Sequence, residues 1–169
     1  MQEKTRELAY IALMSALIFT ATYLIKIPNP ATGGYTHMGD CMIFVSVMLL
    51  GKKQGALAAG IGGALSDLLS GAAIWVVPTF VIKYAMAYFM GWLIERQISK
   101  KGILAAIAGG LFQSIAYTLI KIPLVGMVPA IASIPRVLLQ SAIGVFIFAI
   151  VLQMLPQGKN VTVKGVRNV

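Results

Sequence analysis

Long runs of apolar residues, interrupted only by glycine, proline and short charged stretches, constrain this chain more than any other feature. Of its 169 residues, 59% are hydrophobic and 11% are charged, and the mean hydropathy is +0.86. The polar surface of a soluble domain needs a much larger charged fraction. The sequence therefore predicts an integral membrane protein.

The apolar runs divide into six segments, and a helix needs about 20 residues to cross the hydrocarbon core. The sequence thus predicts an all-α bundle of six transmembrane helices in one membrane domain, residues 1–156, followed by a basic cytoplasmic tail, residues 157–169. The second helix is short, roughly 20 Å long, so it must be backed by protein or extended by the segment before it. The predicted helices cover residues 6–25, 38–51, 54–70, 76–95, 102–122 and 135–155.

Basic residues concentrate at one side of the predicted helices. With a cytoplasmic N-terminus, most of the 14 lysines and arginines fall on cytoplasmic segments, as the positive-inside rule requires. This placement puts both termini in the cytoplasm and accounts for the net charge of +9 without a nucleic-acid partner. Lys26 and Lys121 fall at the outer helix ends, where we expect them to reach the membrane interface. The cytoplasmic basic residues are Lys4, Arg6, Lys52, Lys53, Arg96, Lys100, Lys101, Lys159, Lys164 and Arg167.

The scarcity of reactive side chains excludes several function classes. Cys41 and His37 are the only residues of their types, so the sequence predicts no internal disulfide, no metal site and no histidine-based catalytic pair. No hydrolase or nucleotide-binding motif is present. We therefore expect a protein that is not itself an enzyme and needs no cofactor. An intramembrane enzyme is the alternative from a different class.

Polar side chains inside apolar runs are candidates for a functional site, because such groups are costly in hydrocarbon unless they are paired or face water. They all fall in the outer half of the predicted helices. A channel would place polar groups at successive depths, so the pattern favours an outward-facing cup. Asp67 and Lys83 have a simpler interpretation as a structural ion pair. The candidates are Asp40, Asp67, Lys83, Gln113, Arg136 and Gln140.

Aromatic residues at the same depth predict a rim that stacks on a flat heterocycle. Some of these residues also have simpler interpretations. His37 suits a solvated loop, Trp75 and Tyr84 suit the interfacial aromatic belt, and Arg136 suits an anchor to lipid headgroups. The loop between Lys26 and Met38, rich in proline and glycine, is predicted to be a flexible lid or connector. The rim candidates are Tyr35, His37, Trp75, Phe80, Tyr84 and Tyr117.

Small residues line one side of the first predicted helix, at Ala9, Ala12 and Ala16. A small-xxx-small pattern lets helix backbones approach closely. The pattern is equally consistent with packing inside the bundle and with docking of a partner protein. The third predicted helix carries two denser stripes of glycine and alanine, which favour close packing within the bundle.

Three segments, together with Ala12 and Ala16, suggest a family. They are Gly-Gly-Tyr-Thr-His-Met-Gly-Asp at 33–40, Gly-Ile-Gly-Gly-Ala-Leu-Ser-Asp at 60–67 and Pro-Thr-Phe-Val-Ile-Lys at 78–83. Over essentially its full length the chain resembles the substrate-binding S component of an energy-coupling factor (ECF) vitamin transporter. It is most similar to the hydroxymethylpyrimidine and pyridoxine type, akin to the riboflavin-transporter branch.

This resemblance implies an outward pocket closed by the loop between the first two helices. It also implies a complex with a transmembrane coupling subunit and two cytoplasmic ATPase subunits, in which the loaded S component topples in the bilayer. Ala12 and Ala16 match the alanine motif by which such components dock. Ala9 stands three residues before Ala12, not four, so a longer alanine ladder is incomplete.

The predicted function is therefore binding of a small water-soluble vitamin or precursor, with pyridoxine or hydroxymethylpyrimidine favoured, by a multi-pass protein of the bacterial cell membrane. Two alternatives within transport stay open. One is an S component for pantothenate or riboflavin. The other is a stand-alone proton-coupled carrier that uses Asp67 and Lys83.

Overall fold

The computed structural model of the protein describes residues 2–29, 34–96 and 102–154, with side chains at all of these positions except 26–29 and 34–36. The predicted basic tail lies outside the described residues. In chain order the elements are α1 (Gln2–Tyr23), β1 (Lys26–Asn29), β2 (Gly34–His37), α2 (Gly39–Leu69), α3 (Ala73–Glu95), α4 (Ile103–Val125), α5 (Met127–Ala132) and α6 (Ile134–Met154).

Helix α2 is two helical segments, residues 39–50 and 52–69, that fold back on each other at Gly51. Gly51 has φ +82° and ψ 179°, a left-handed backbone conformation that glycine adopts without steric cost. Ser46 Oγ lies 3.4 Å from the Gly55 carbonyl oxygen, whereas nine residues of straight helix would separate them by about 13.5 Å. The two segments correspond to the second and third predicted helices.

The helices pack side by side around an apolar core. The second segment of α2 packs between α1 and α3, and α4 packs against both α3 and α6. Phe44 and Phe148 are fully buried and meet edge to face with ring centroids 5.7 Å apart. At the Gly51 end of the bundle, hereafter the turn end, Lys52 forms an ion pair with Glu95 at 2.5 Å. We call the opposite end, where α1 ends and α2 begins, the hairpin end.

The connection between α1 and α2 is more regular than the flexible loop predicted from its prolines and glycines. Strands β1 and β2 pair antiparallel, with Lys26 opposite His37 and Asn29 opposite Gly34. Pro28 is tolerated because both strands of a two-stranded sheet are edge strands, where a missing amide hydrogen need not break a ladder. The hairpin packs against α1 and α6.

Within the described residues, four helices are long and apolar enough to cross a membrane by length and composition. This supports a multi-pass helical membrane protein, while the predicted number of six spans stays a prediction. Residues 123–134, predicted to be a loop, instead continue α4 to Val125 and form the short helix α5. The four helical stretches are Gly39–Leu69, which reverses at Gly51, Ala73–Glu95, Ile103–Val125, and Met127–Met154, which comprises α5 and α6.

Candidate functional site

A buried polar network occupies the interior of the bundle toward its hairpin end. Asp40, in the first turn of α2, is fully buried, and its Oδ1 accepts a hydrogen bond from Lys83 Nζ of α3 at 2.5 Å. Its Oδ2 accepts from Gln113 Nε2 of α4 at 2.5 Å and from Gln140 Nε2 of α6 at 3.1 Å. Four helices thus each supply one polar side chain to a single cluster, hereafter the Asp40 network.

Gln113 is the residue that completes the network. Its side chain has no exposed surface, its Oε1 accepts from Lys83 Nζ at 2.5 Å, and its Nε2 also donates to Ser141 Oγ at 2.6 Å. An amide both donates and accepts, so Gln113 can join an ammonium, a carboxylate and a hydroxyl at once. Satisfied hydrogen bonds are what make such buried polar groups tolerable.

Glycines let the helix backbones come close enough for these contacts. A Cβ at Gly144 of α6 would lie 2.9 Å from Asp40 Cβ, and one at Gly110 of α4 would lie 2.8 Å from Ser141 Cβ. Neither distance is compatible with ordinary packing. The small residues beside the network are therefore required by its geometry, and the glycine stripes of the third predicted helix pack inside the bundle as expected.

A second group of polar side chains lies next to the Asp40 network. Tyr117 Oη of α4 donates to Thr79 Oγ1 of α3 at 3.2 Å, and Thr79 also interacts with the Asp67 carboxylate. The Lys83 ammonium lies 5.7 Å from the Tyr117 ring centroid. The structural pair proposed between Asp67 and Lys83 is wrong, because the ion-pair partner of Lys83 is Asp40.

Two cations and two aromatic rings lie nearer the hairpin end. Lys121 Nζ donates to Ser133 Oγ at 2.8 Å and lies 6.0 Å from the Trp75 ring centroid and 5.9 Å from that of Tyr117. Arg136 is half-buried and is an electrostatic neighbour of Lys121. The Lys121 side chain thus contacts the protein and is only 9% exposed, and its predicted reach to the membrane interface stays a prediction.

The predicted aromatic rim is only partly assembled. Tyr84 stacks between Phe80 and Tyr88 along α3 and packs against the apolar core, away from Lys83 on the same helix. His37, at the end of β2, is an electrostatic neighbour of Asp40. Tyr35 lies in β2 opposite Pro28, and its side chain is outside those described.

The small face of α1 is exposed. Ala9, Ala12 and Ala16 lie at the surface, while Ile11 and Ile18 on the opposite face are buried in the bundle. Internal packing, one of the two interpretations of the small-xxx-small pattern, is therefore wrong for these alanines. Docking of a partner on this face stays a prediction.

Several members of these groups are not apparent from the sequence. Ser141, Ser133 and Thr79 carry small hydroxyls that occur anywhere in membrane helices, and only their contacts distinguish them. Lys121 stands near a proline and a helix end, a pattern shared with interface lysines. The sequence signal for these contacts is the pair of glycines, Gly110 and Gly144, that face Ser141 and Asp40, since each glycine marks a close approach of two helices.

The side chains of the site are groups that form hydrogen bonds. The Asp40 network offers a carboxylate acceptor, an ammonium donor and two amides, and Tyr117 and Trp75 add aromatic faces nearby. Among the described residues there is no group of three or more His, Cys, Asp or Glu side chains that could hold a metal ion. Such a set is suited to a small polar ring whose edge carries both donors and acceptors.

Comparison with known proteins shows the family of this chain. Residues 2–157 match the model of the family described as ECF-type riboflavin transporter, S component. An uncharacterized protein in the gap 3′ region of Pyrococcus woesei is 31% identical over 131 residues, which are 77% of this chain and 88% of the relative. The thiamine precursor transporter HmpT of Lactococcus lactis subsp. cremoris (strain MG1363) is 26% identical over 108 residues, which are 63% of this chain and 65% of that transporter.

The family match covers nearly the whole chain, including every residue of the Asp40 network. S components of ECF transporters are substrate-binding subunits that work with an ECF module and are not themselves catalytic. The apolar helices agree with a transport protein of the membrane. The chain therefore belongs to the family of ECF-type riboflavin transporter S components.

Proposed function

We propose that this protein binds a water-soluble vitamin precursor at the Asp40 network and delivers it to an ATP-driven ECF importer. The observation that carries the proposal is the convergence of Asp40, Lys83, Gln113 and Gln140 from four helices into one buried cluster. Ionisable groups within a membrane domain are expensive and are kept for function. A bound ligand would form hydrogen bonds with these four side chains in place of some of the bonds that they form with one another.

Hydroxymethylpyrimidine and pyridoxine are the favoured substrates. Both are small rings with nitrogen acceptors and hydroxyl donors on the edge, which complement the amides, the carboxylate and the ammonium of the network. The flat faces of Tyr117 and Trp75 suit stacking on such a ring. The similarity to HmpT, a thiamine precursor transporter, supports the same choice. Pantothenate and riboflavin are the alternative substrates.

Identification of a co-purifying ligand by mass spectrometry tests this proposal directly. The purified protein should carry, or bind saturably, a B-vitamin precursor. The absence of saturable binding to any such compound, in protein that remains folded, would contradict the proposal. Uptake by vesicles that lack an ATPase, abolished by an uncoupler, would instead favour the proton-coupled carrier.

The exposed small residues of α1 support a proposal about the partner proteins. We infer that Ala9, Ala12 and Ala16 dock on a transmembrane coupling subunit, which itself carries two cytoplasmic ATPases. Replacing Ala12 and Ala16 with Trp should block close backbone approach. Because both alanines are exposed in the bundle, the double variant should bind ligand normally in isolation and fail in reconstituted uptake. Normal uptake by this variant would remove α1 from the coupling role.

We also infer six membrane crossings, with both termini in the cytoplasm of a bacterial cell. Basic residues at the turn end, among them Lys52, Lys53 and Arg96, support this orientation. In a Cys41→Ala background, a membrane-impermeant thiol reagent should label Lys53→Cys only from the cytoplasm and Ser70→Cys only from outside. Labelling of both from the same side would refute six crossings.

A further inference from the structure

Lys121 and Arg136 form a pair of like charges at the hairpin end of the bundle. Lys121 is 9% exposed, and its Nζ donates a hydrogen bond at 2.8 Å to Ser133 Oγ. Arg136 is half-buried and stands three residues after Ser133, in the first turn of α6, so the two cations are electrostatic neighbours. Within the part of the chain that the structure describes, neither forms a salt bridge, and the only hydrogen-bond partner of the Lys121 ammonium is Ser133.

Within the described residues, no acidic side chain of the protein forms an ion pair with Lys121 or Arg136. The chain has five, and all of them lie among the described residues. Three of the five are at the turn end, and the other two are the carboxylates of the two polar groups already described. These are Glu3 in the first turn of α1, Glu7 bonded to Gln54, Glu95 paired with Lys52, Asp40 paired with Lys83, and Asp67 beside Thr79.

Two neighbouring cations without a counter-charge are unfavourable in a medium of low dielectric constant, where repulsion is poorly screened. An oxyanion between them would remove this repulsion. Arg136 offers the planar fork that binds carboxylate and phosphate in two-point contacts. An ammonium has three donors, and Ser133 accepts only one of those of Lys121.

We propose that Lys121 and Arg136 bind an oxyanion, a carboxylate or a phosphate, carried by the transported molecule. This inference rests on the proposed function, because it places the ring of the substrate at the Asp40 network. Lys121 follows Gln113 by eight residues of α4, about 12 Å along the helix axis. That separation suits a small heterocycle that carries one anionic substituent. The proposed substrates are therefore vitamins or precursors of the proposed function that carry a phosphate or a carboxylate. The same oxyanion chemistry is present in a lipid phosphate.

Matched pairs of anionic and neutral compounds test the proposal. Binding to the purified protein would be measured for pyridoxine phosphate and pyridoxine, hydroxymethylpyrimidine phosphate and hydroxymethylpyrimidine, and pantothenate and panthenol. The wild type should prefer the anionic member of at least one pair by tenfold or more. Lys121→Met and Arg136→Gln should each reduce that preference to within about twofold, whereas Lys53→Met, which removes an exposed cation at the turn end, should leave it unchanged.

Thermal stability separates binding from a structural role. Without added anion, Lys121→Met should unfold at a temperature equal to or above that of the wild type, because it removes one of two mutually repelling charges. A second arm compares stability in nanodiscs of anionic phosphatidylglycerol and of zwitterionic phosphatidylcholine. Stabilisation by phosphatidylglycerol that depends on Lys121, with no preference between the paired compounds, would assign the oxyanion site to a lipid headgroup.

Three further outcomes have different consequences. Equal binding of the anionic and neutral members, together with no effect of anionic lipid, would overturn the oxyanion site and leave the proposed function intact. A marked loss of stability in Lys121→Met would also overturn it, in favour of a structural lysine. Failure of the wild type to bind any compound of the panel would count against the proposed function itself.

Discussion

Replacing Lys83 with Met tests the Asp40 network most directly. The substitution removes the ammonium that lies 2.5 Å from Asp40 Oδ1 and leaves a carboxylate with no exposed surface, bonded only to the amides of Gln113 and Gln140. Removing one partner of a buried ion pair costs about 3–5 kcal/mol. At roughly 1.4 kcal/mol for each tenfold change, the unfolding equilibrium should shift by about two to nearly four powers of ten.

A second substitution distinguishes the charge from the shape of the site. Asp40→Asn combined with Lys83→Met removes both charges and keeps an amide that can bond to its neighbours. The double variant should therefore recover most of the lost stability. Ligand binding should remain at least tenfold weaker in both variants, because the groups that orient the substrate are gone.

The assay is equilibrium unfolding in detergent, paired with ligand titration of the folded fraction. Lys52→Met is the matched control, because Lys52 and Glu95 are also 2.5 Å apart but have side chains that are 23% and 52% exposed. This variant should change stability far less. Two results would show that the buried charges of Lys83 and Asp40 do not depend on each other for stability. One is equal stability of Lys83→Met and Lys52→Met, and the other is a double variant no more stable than Lys83→Met.

Three further substitutions probe the surroundings of the network. Gly144→Ala should lower the free energy of unfolding by about 1–3 kcal/mol, because its Cβ would meet Asp40 at 2.9 Å, whereas Gly109→Ala, whose Cβ would meet Met86 at an ordinary 3.4 Å, should not; equal thermal stability of the two variants would contradict this. Gln113→Leu should abolish saturable binding and destabilise the protein by about 3 kcal/mol or more, since it removes three hydrogen bonds, each worth about 1 kcal/mol and more where the partner is charged; unchanged binding would exclude the amide from the site. Tyr117→Phe removes one hydrogen bond at 3.2 Å and should cost only about 0.5–1.5 kcal/mol in chemical unfolding, so a larger loss would indicate further roles for the hydroxyl.

The sequence by itself determined the class of the protein and much of its polar site. Six apolar runs are sufficient to predict membrane helices, because the bilayer constrains the composition of each segment without reference to its neighbours. The same constraint makes Asp40, Lys83, Gln113 and Gln140 conspicuous, since a polar side chain in an apolar run must have a partner. The sequence alone therefore marks these four residues as candidates for the site.

Only the tertiary structure decided which of these residues meet. Lys83 pairs with Asp40 rather than Asp67, and the Lys121 ammonium donates a hydrogen bond to Ser133. Helix periodicity gives the face on which a side chain lies, but not which helix packs against that face. That choice depends on the reversal of the chain at Gly51 and on contacts such as the close approach of Gly144 to Asp40, which joins residues roughly 100 positions apart.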